Sequence, residues 1–404
     1  MLECSEQSVY MCASTTDVRI CATNPHWHEQ ISRSCEVRSR YRDNLPCCCR
    51  LCLSSTDSQH GQSLDSRAKT PPNMPSLSRD LNRPLKNILV LSATGNIGLP
   101  IVQALAAHRT AAYSITATTR NASSVPPTYF PPGVSIVSSD LSPTSLRPLF
   151  LQADAVVSCV HVPYLPKQME LIDLAISCGV ARFMPSEFGV NTTHPDAPRV
   201  MPLIQAKIDT QKFLAEKAAE GEIQYTTVYN GSFFDWFFRF PDAMGFDVPT
   251  ARATVYDGGD VPYEVTTVEK IGEAVAAALS PENKGETRNQ RVFVNSFTLT
   301  QNRLLPVLEK VTGRRWTVLE DSIVGLKERI GKENGWFHGG ERAIAAELLT
   351  ACLRGEEGMN LFSRDERVGG LWNERLGLRE EGLEEAVREV VRAGKKTGVI
   401  GGRN

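Results

Sequence analysis

The 404-residue chain has no apolar run long enough to span a bilayer, so no membrane-crossing helix is expected. It also lacks a charge excess: 44 basic and 46 acidic residues leave a formal net charge of -2. A general nucleic-acid binder needs a basic face to displace counterions, and this balance argues against one. The N-terminus has no basic cap followed by an apolar core, so it does not read as a secretory signal. These absences make a cytoplasmic protein the expectation. Cysteine is scarce through most of the chain, with only Cys159, Cys178 and Cys352 beyond residue 52. A cytosolic enzyme does not usually form disulfides. The other eight of the 11 cysteines, all in the first 52 residues, therefore need a separate reading.

Residues 1 to 84 are rich in Ser, Cys, Arg, Asp and Thr, and no apolar period persists there. Lys69-Thr70-Pro71-Pro72-Asn73-Met74-Pro75 reads as a linker, because its prolines fix φ and remove donors. Such a segment buries too little apolar surface to offset its ordering entropy. It is read as disordered, or as a stretch outside the mature protein. The alternative is a zinc site built from Cys49, Cys52, His26 and His28. A structural zinc needs four ligands at workable spacing, and one close pair with distant histidines is a weak match. No metal site is expected.

From Leu85 the pattern changes. Apolar, β-rich runs at 86–91, 113–119, 134–138, 155–160, 182–185 and 225–229 alternate with helical stripes at 94–108, 145–151, 169–178 and 203–219. This alternation predicts an α/β fold, a Rossmann-type doubly wound parallel sheet with helices on both faces. After Asn230 the alternation breaks down. A helix over 271–279 and a strand over 291–295 are expected, then mostly helices. The last of these, near 383–391, has a stripe of Leu383, Val387 and Val390 that calls for a packing partner. The reading is thus an extension over 1–84, a dinucleotide-binding domain over 85–232, and a smaller, mostly helical substrate-binding part over 233–404. Residues 263–295 are expected to return to the Rossmann core.

The first strand runs into Ser92-Ala93-Thr94-Gly95-Asn96-Ile97-Gly98. This is G-x-x-G-x-x-G with serine at the first glycine. Small residues let the strand turn sharply, let the backbone approach a pyrophosphate and let the helix pack close to the sheet. The helix N-terminus then offers N–H groups to the phosphates. Ser92 departs from the pattern, because its Cβ crowds a turn that often wants positive φ. The second strand ends in Thr118-Thr119-Arg120-Asn121, without the acid that binds a ribose diol. Arg120 can pair with a 2′-phosphate instead, with hydroxyls from Ser123 or Ser124 nearby, so NADPH is the cofactor expected.

With Phe183-Met184-Pro185-Ser186-Glu187-Phe188-Gly189 and the downstream Lys207, the chain resembles the NmrA-like group of atypical short-chain dehydrogenases. Within that group it resembles the isoflavone reductase and phenylcoumaran benzylic ether reductase branch, over about 85–308. The resemblance implies that Ser186, Glu187 and Phe188 lie near the nicotinamide at the end of the fifth strand, with Lys207 as the catalytic acid or base that also touches the cofactor. The Tyr-x-x-x-Lys pair of short-chain dehydrogenases is absent, since Leu203 stands four residues before Lys207. Members of this branch also lack it and rely on the lysine.

From the residues alone, Lys207 reads first as a boundary lysine whose stem covers apolar surface, and the resemblance reverses that reading. Lys207 sits at the edge of the stripe Ile204, Ile208, Gln211, Ala215, and a lysine facing a pocket there would have its pKa lowered by desolvation. Asn230 and the aromatic run that follows it supply substrate-wall candidates, namely Asn230, Phe233, Phe234 and Phe237. Such a run also packs subdomains together, and a mixture of both roles is expected. His161, at the end of the fourth strand, either touches the cofactor or ends the strand as a polar residue. Two functions follow. One is an NADPH-dependent reductase of small aromatic, phenylpropanoid-like compounds. The other is a sensor that binds NADP(H) and turns over nothing.

Overall fold

The computed structural model describes residues 11–14, 17–20, 80–201, 204–238, 244–326, 328 and 359–397. The chain divides into two compact units, 1–73 and 74–404. In the first, Met11–Ser14 pairs antiparallel with Asp17–Ile20, a ribbon that the composition did not announce. His26, His28, Cys49, Cys52 and the proline-rich stretch at 69–75 lie outside the described residues.

The second unit is built on a seven-stranded sheet. Its strands are β1 (Asn87–Leu91), β2 (Ser114–Thr119), β3 (Ser135–Ser138), β4 (Ala155–Ser158), β5 (Arg182–Met184), β6 (Gln224–Tyr229) and β7 (Gln290–Phe293). They run in the order β7-β6-β5-β4-β1-β2-β3, all parallel. This is the doubly wound Rossmann arrangement. The order reverses beside β1, and ligands of such sheets sit outside the carboxyl ends of the strands at that switch point.

Strand β1 shows why the sheet is covered on both sides. Side chains alternate faces along a strand. Ile88 and Val90 pack in one core with Ile101, Val102, Ile271 and Val275. These belong to helices α1 (Gly98–Ala107) and, further along the chain, Val268–Leu279. Leu89 and Leu91 pack in another core with Leu146, Ile172 and Leu214. These come from α2 (Pro143–Phe150), α3 (Gln168–Ser177) and α4 (Gln205–Ala219). A strand buried on both faces reads as a continuous apolar run, which is how β1 appears in the sequence. The helix Val268–Leu279 is α5, and β7 follows it to the sheet edge. Residues 268–293 therefore belong to the Rossmann core.

The rest of this unit has a third core around Phe234, Phe246, Leu304, Trp316 and Val387. Helices α6 (Gln301–Thr312) and α7 (Leu383–Thr397) contribute to it, and Val387 is fully buried, as the stripe predicts. Alongside the helices stand two three-stranded sheets that the sequence pattern did not reveal. One joins Phe246–Asp247, Arg252–Tyr256 and Thr317–Asp321. The other joins Ser232–Phe233, Tyr263–Thr266 and Phe297–Leu299. Among the described residues, no helix is long and apolar enough to cross a membrane. No group of three or more His, Cys, Asp or Glu is placed to hold a metal among them.

Candidate active site

The turn after β1 is tied to the end of β2. The Ser92 N–H donates to the Thr118 hydroxyl at 3.1 Å, and the Ala93 N–H donates to the Thr118 carbonyl at 2.8 Å. The Thr94 and Thr119 hydroxyls lie 3.2 Å apart. Thr118 and Thr119 therefore hold the turn, a role that the sequence reading gave only to the turn itself. Ser92 takes the left-handed conformation, with φ of 55°. For an L-residue this costs roughly 1–2 kcal/mol, and the ties to β2 hold it there.

This turn fits a pyrophosphate. Thr94, Gly95 and Asn96 are exposed, so their backbone is open to a ligand, while Ile97 is buried in the core. Helix α1 has no side-chain cap at its N-terminus, so the positive end of its dipole faces this turn, where an anion is favoured. A Cβ on Gly98 would stand 2.3 Å from the Ala93 carbonyl oxygen. Only glycine allows the helix to start this close to the strand. We expect Gly98→Ala to lower unfolding free energy by about 1–3 kcal/mol, because relief requires a backbone shift. Urea denaturation checks this, and an unchanged midpoint would show that the turn relaxes freely.

Arg120 is exposed directly after β2. Among the described residues nearby, Asn121 accepts from the Ser123 N–H and hydroxyl, and the Ser124 hydroxyl donates to the Asn121 carbonyl. Those two hydroxyls are therefore engaged within the turn. His161 is exposed after β4, and its carbonyl opens a short 3-10 helix.

The Pro-Ser-Glu-Phe-Gly segment follows directly on β5, at its carboxyl end. The Ser186 N–H donates to Gln168 Oε1 at 2.7 Å, and its hydroxyl donates to the Val160 carbonyl at 2.9 Å. Its hydroxyl thus ties the end of β5 to the end of β4, and its backbone N–H ties it to α3. Phe188 packs in the core beside α1 and α5. Glu187 is 1% exposed, with its carboxyl in the interior. It accepts from the Thr192 hydroxyl at 2.6 Å and from Gln211 Nε2 at 3.2 Å.

Lys207 stands in the first turn of α4, half-buried. Its ammonium donates to the backbone carbonyl of Glu187. A Cβ on Gly189 would lie 3.6 Å from Nζ, so the glycine borders the amine directly. Burial holds the Lys207 ammonium below the usual lysine range, and the Glu187 carboxylate opposes that shift. Burial likewise raises the Glu187 carboxyl, opposed by Lys207, the two hydrogen bonds and Arg291. Leu203 lies outside the described residues.

The aromatic run yields little of the expected substrate wall. Phe234 is fully buried, edge-on to Phe238 and Phe297. Asn230 is fully buried behind Gly189, whose carbonyl accepts its N–H at 3.1 Å. Neither can line an open pocket, since folding has already packed them. Phe233 is half-buried at the edge of the first core. The Phe237 side chain lies outside the described residues.

The NmrA-like family matches residues 84–330. Oxidoreductase poxI of Penicillium oxalicum is 30% identical over 302 residues, 74% of this chain and 92% of its own length. Isoflavone reductase homolog P3 of Arabidopsis thaliana is 28% identical, over 56% of this chain and 75% of its own. Among solved structures, the leucoanthocyanidin reductase–NADPH complex from Vitis vinifera shares the fold with a TM-score of 0.61 and 20% identity, over 76% of this chain and 99% of that one. The chain belongs to the NmrA-like family, among its isoflavone reductase-like oxidoreductases.

Proposed function

We propose that this protein is an NADPH-dependent reductase of small aromatic, phenylpropanoid-like compounds, with Lys207 handling the proton. The observation that carries this is the placement of one half-buried amine, held by the Glu187 carbonyl just past β5. That end of the sheet also holds the phosphate-fitting turn and Arg120. Ser92 and residues 94–98 would hold the pyrophosphate, and Arg120 the 2′-phosphate. The grape reductase of similar fold was solved with NADPH, which supports this choice of cofactor. Another similar fold was solved with NADP+ and (+)-pinoresinol, which supports an aromatic substrate.

When bound, the reduced nicotinamide supplies a hydride. The chain itself manages charge on the substrate. A carbonyl or benzylic ether oxygen gains negative charge as its carbon is reduced. An ammonium at Lys207 stabilises that charge and donates a proton; a neutral amine instead takes a phenolic proton and helps expel a benzylic leaving group. Burial brings the amine nearer to the range where both forms are accessible. The test is NADPH oxidation across aromatic aldehydes, benzylic ethers and enones. Turnover on one of these classes is expected. Micromolar cofactor binding with no turnover on any would favour the sensor reading.

A further inference from the structure

We infer that the buried carboxylate of Glu187 is a positioning residue that keeps Lys207 in its ammonium form, an inference that rests on Lys207 being the proton-handling group. The geometry begins at the end of β5. The Glu187 N–H turns back to the Pro185 carbonyl at 2.8 Å. The residue then presents its own carbonyl to Lys207 and its carboxyl to the interior. Lys207 and Gln211 stand four apart on α4, on one helix face. One reaches the carbonyl of Glu187 and the other its carboxyl.

The hydrogen bonds have a direction. The Gln211 carbonyl oxygen accepts from the Thr227 hydroxyl at 3.1 Å, which turns Nε2 toward Glu187. With its proton given to Glu187 Oε1, the Thr192 hydroxyl is left to accept from the Tyr229 hydroxyl at 3.1 Å. Both carboxyl oxygens thus face donors, and the Gln211 amide nitrogen can only donate. These hydrogen bonds favour the ionised carboxylate and oppose the burial that raises it. The charged and titratable groups facing it are Lys207 from α4, Arg291 from β7 and Tyr229 from β6. Burial pushes Tyr229 far above its ordinary range, so it stays a neutral donor. The amine is held by the carbonyl of the same residue that carries this carboxylate, so the negative charge offsets the desolvation that drives Lys207 toward neutrality.

The test is the protonation of Lys207 itself. Competitive acylation of the apo protein across a pH series, read by mass spectrometry at Lys207, reports its titration midpoint without cofactor or substrate. Glu187→Gln removes the charge that favours the ammonium, so the midpoint should move to lower pH by about one to three units. The limb of the pH–rate profile governed by Lys207 should move the same way. Thr192→Val, nearly isosteric, removes one donor and should give a smaller shift in the same direction, even if Glu187→Gln fails to fold. A purely structural role for Glu187 would lower the melting temperature and leave both midpoints in place, which would overturn the inference. The Lys207 reading is decided separately, by turnover of Lys207→Met. An unmoved midpoint defeats the Glu187 inference even where Lys207→Met is inactive.

Discussion

Lys207→Met should lower turnover by about 10²–10⁴-fold, the range of general acid–base contributions, while NADPH affinity changes little. Methionine retains most of the apolar stem and removes the donor. Two structural consequences follow from the geometry. The Glu187 carbonyl loses its charged donor, and the Glu187 carboxylate loses a nearby cation. Losing one hydrogen bond to a charged group costs about 1.5–3 kcal/mol, which a unit with this many buried side chains should survive. The expected signature is therefore a moderate fall in melting temperature and a large fall in kcat. The pH profile adds a second check. If Lys207 works as the acid, its active form exists below its pKa, and burial has lowered that pKa. Activity should then decline as pH rises, at a lower pH than for a solvent-exposed lysine. Near-normal kcat in Lys207→Met, with a substrate in hand, would make the lysine a boundary residue whose stem only covers apolar surface.

The dinucleotide-binding core was legible because its signals are local. Strand β1 is apolar on both faces, the turn at 92–98 has its small residues at fixed spacing, and α1 shows its stripe at once. The two small sheets were not legible. Ser232–Phe233 and Phe246–Asp247 are two-residue strands, too short to show a period of two. Thr317–Asp321 is mostly exposed, so it has no buried face to announce it. The aromatic run misled for a related reason. Phe234 follows the sixth strand, where a pocket would lie, but sequence cannot tell a wall from a core, and here the ring fills the core. The Glu187 network was hidden because, Thr192 apart, its members are distant in the chain. Thr192 and Gln211 reach the carboxylate from separate segments, and Tyr229 backs Thr192 from a third; only the fold assembles them.

Arg120→Ala should weaken NADPH binding about ten- to a hundred-fold and leave NADH binding nearly unchanged. The argument starts from an absence: no acid follows β2, where a ribose diol would need one. In its place stands an exposed arginine, beside a turn held by Thr118 and Thr119. A guanidinium pairs with a phosphate through two parallel N–H donors. Losing a hydrogen bond to a charged group costs about 1.5–3 kcal/mol, and each 1.4 kcal/mol is a factor of ten in affinity. NADH has no 2′-phosphate and so has nothing to lose. Because Arg120 is exposed, its removal should also leave the melting temperature of the apo protein within a degree or so, separating a binding effect from a folding one. The contact is charge-assisted and open to solvent, so raising the salt concentration should narrow the gap between NADPH and NADH in the unmodified protein. Calorimetric titration of both cofactors against both proteins measures all of this. Equal affinity of the unmodified protein for NADPH and NADH would leave Arg120 a surface arginine at a strand end, and the cofactor preference would have to come from elsewhere in the turn.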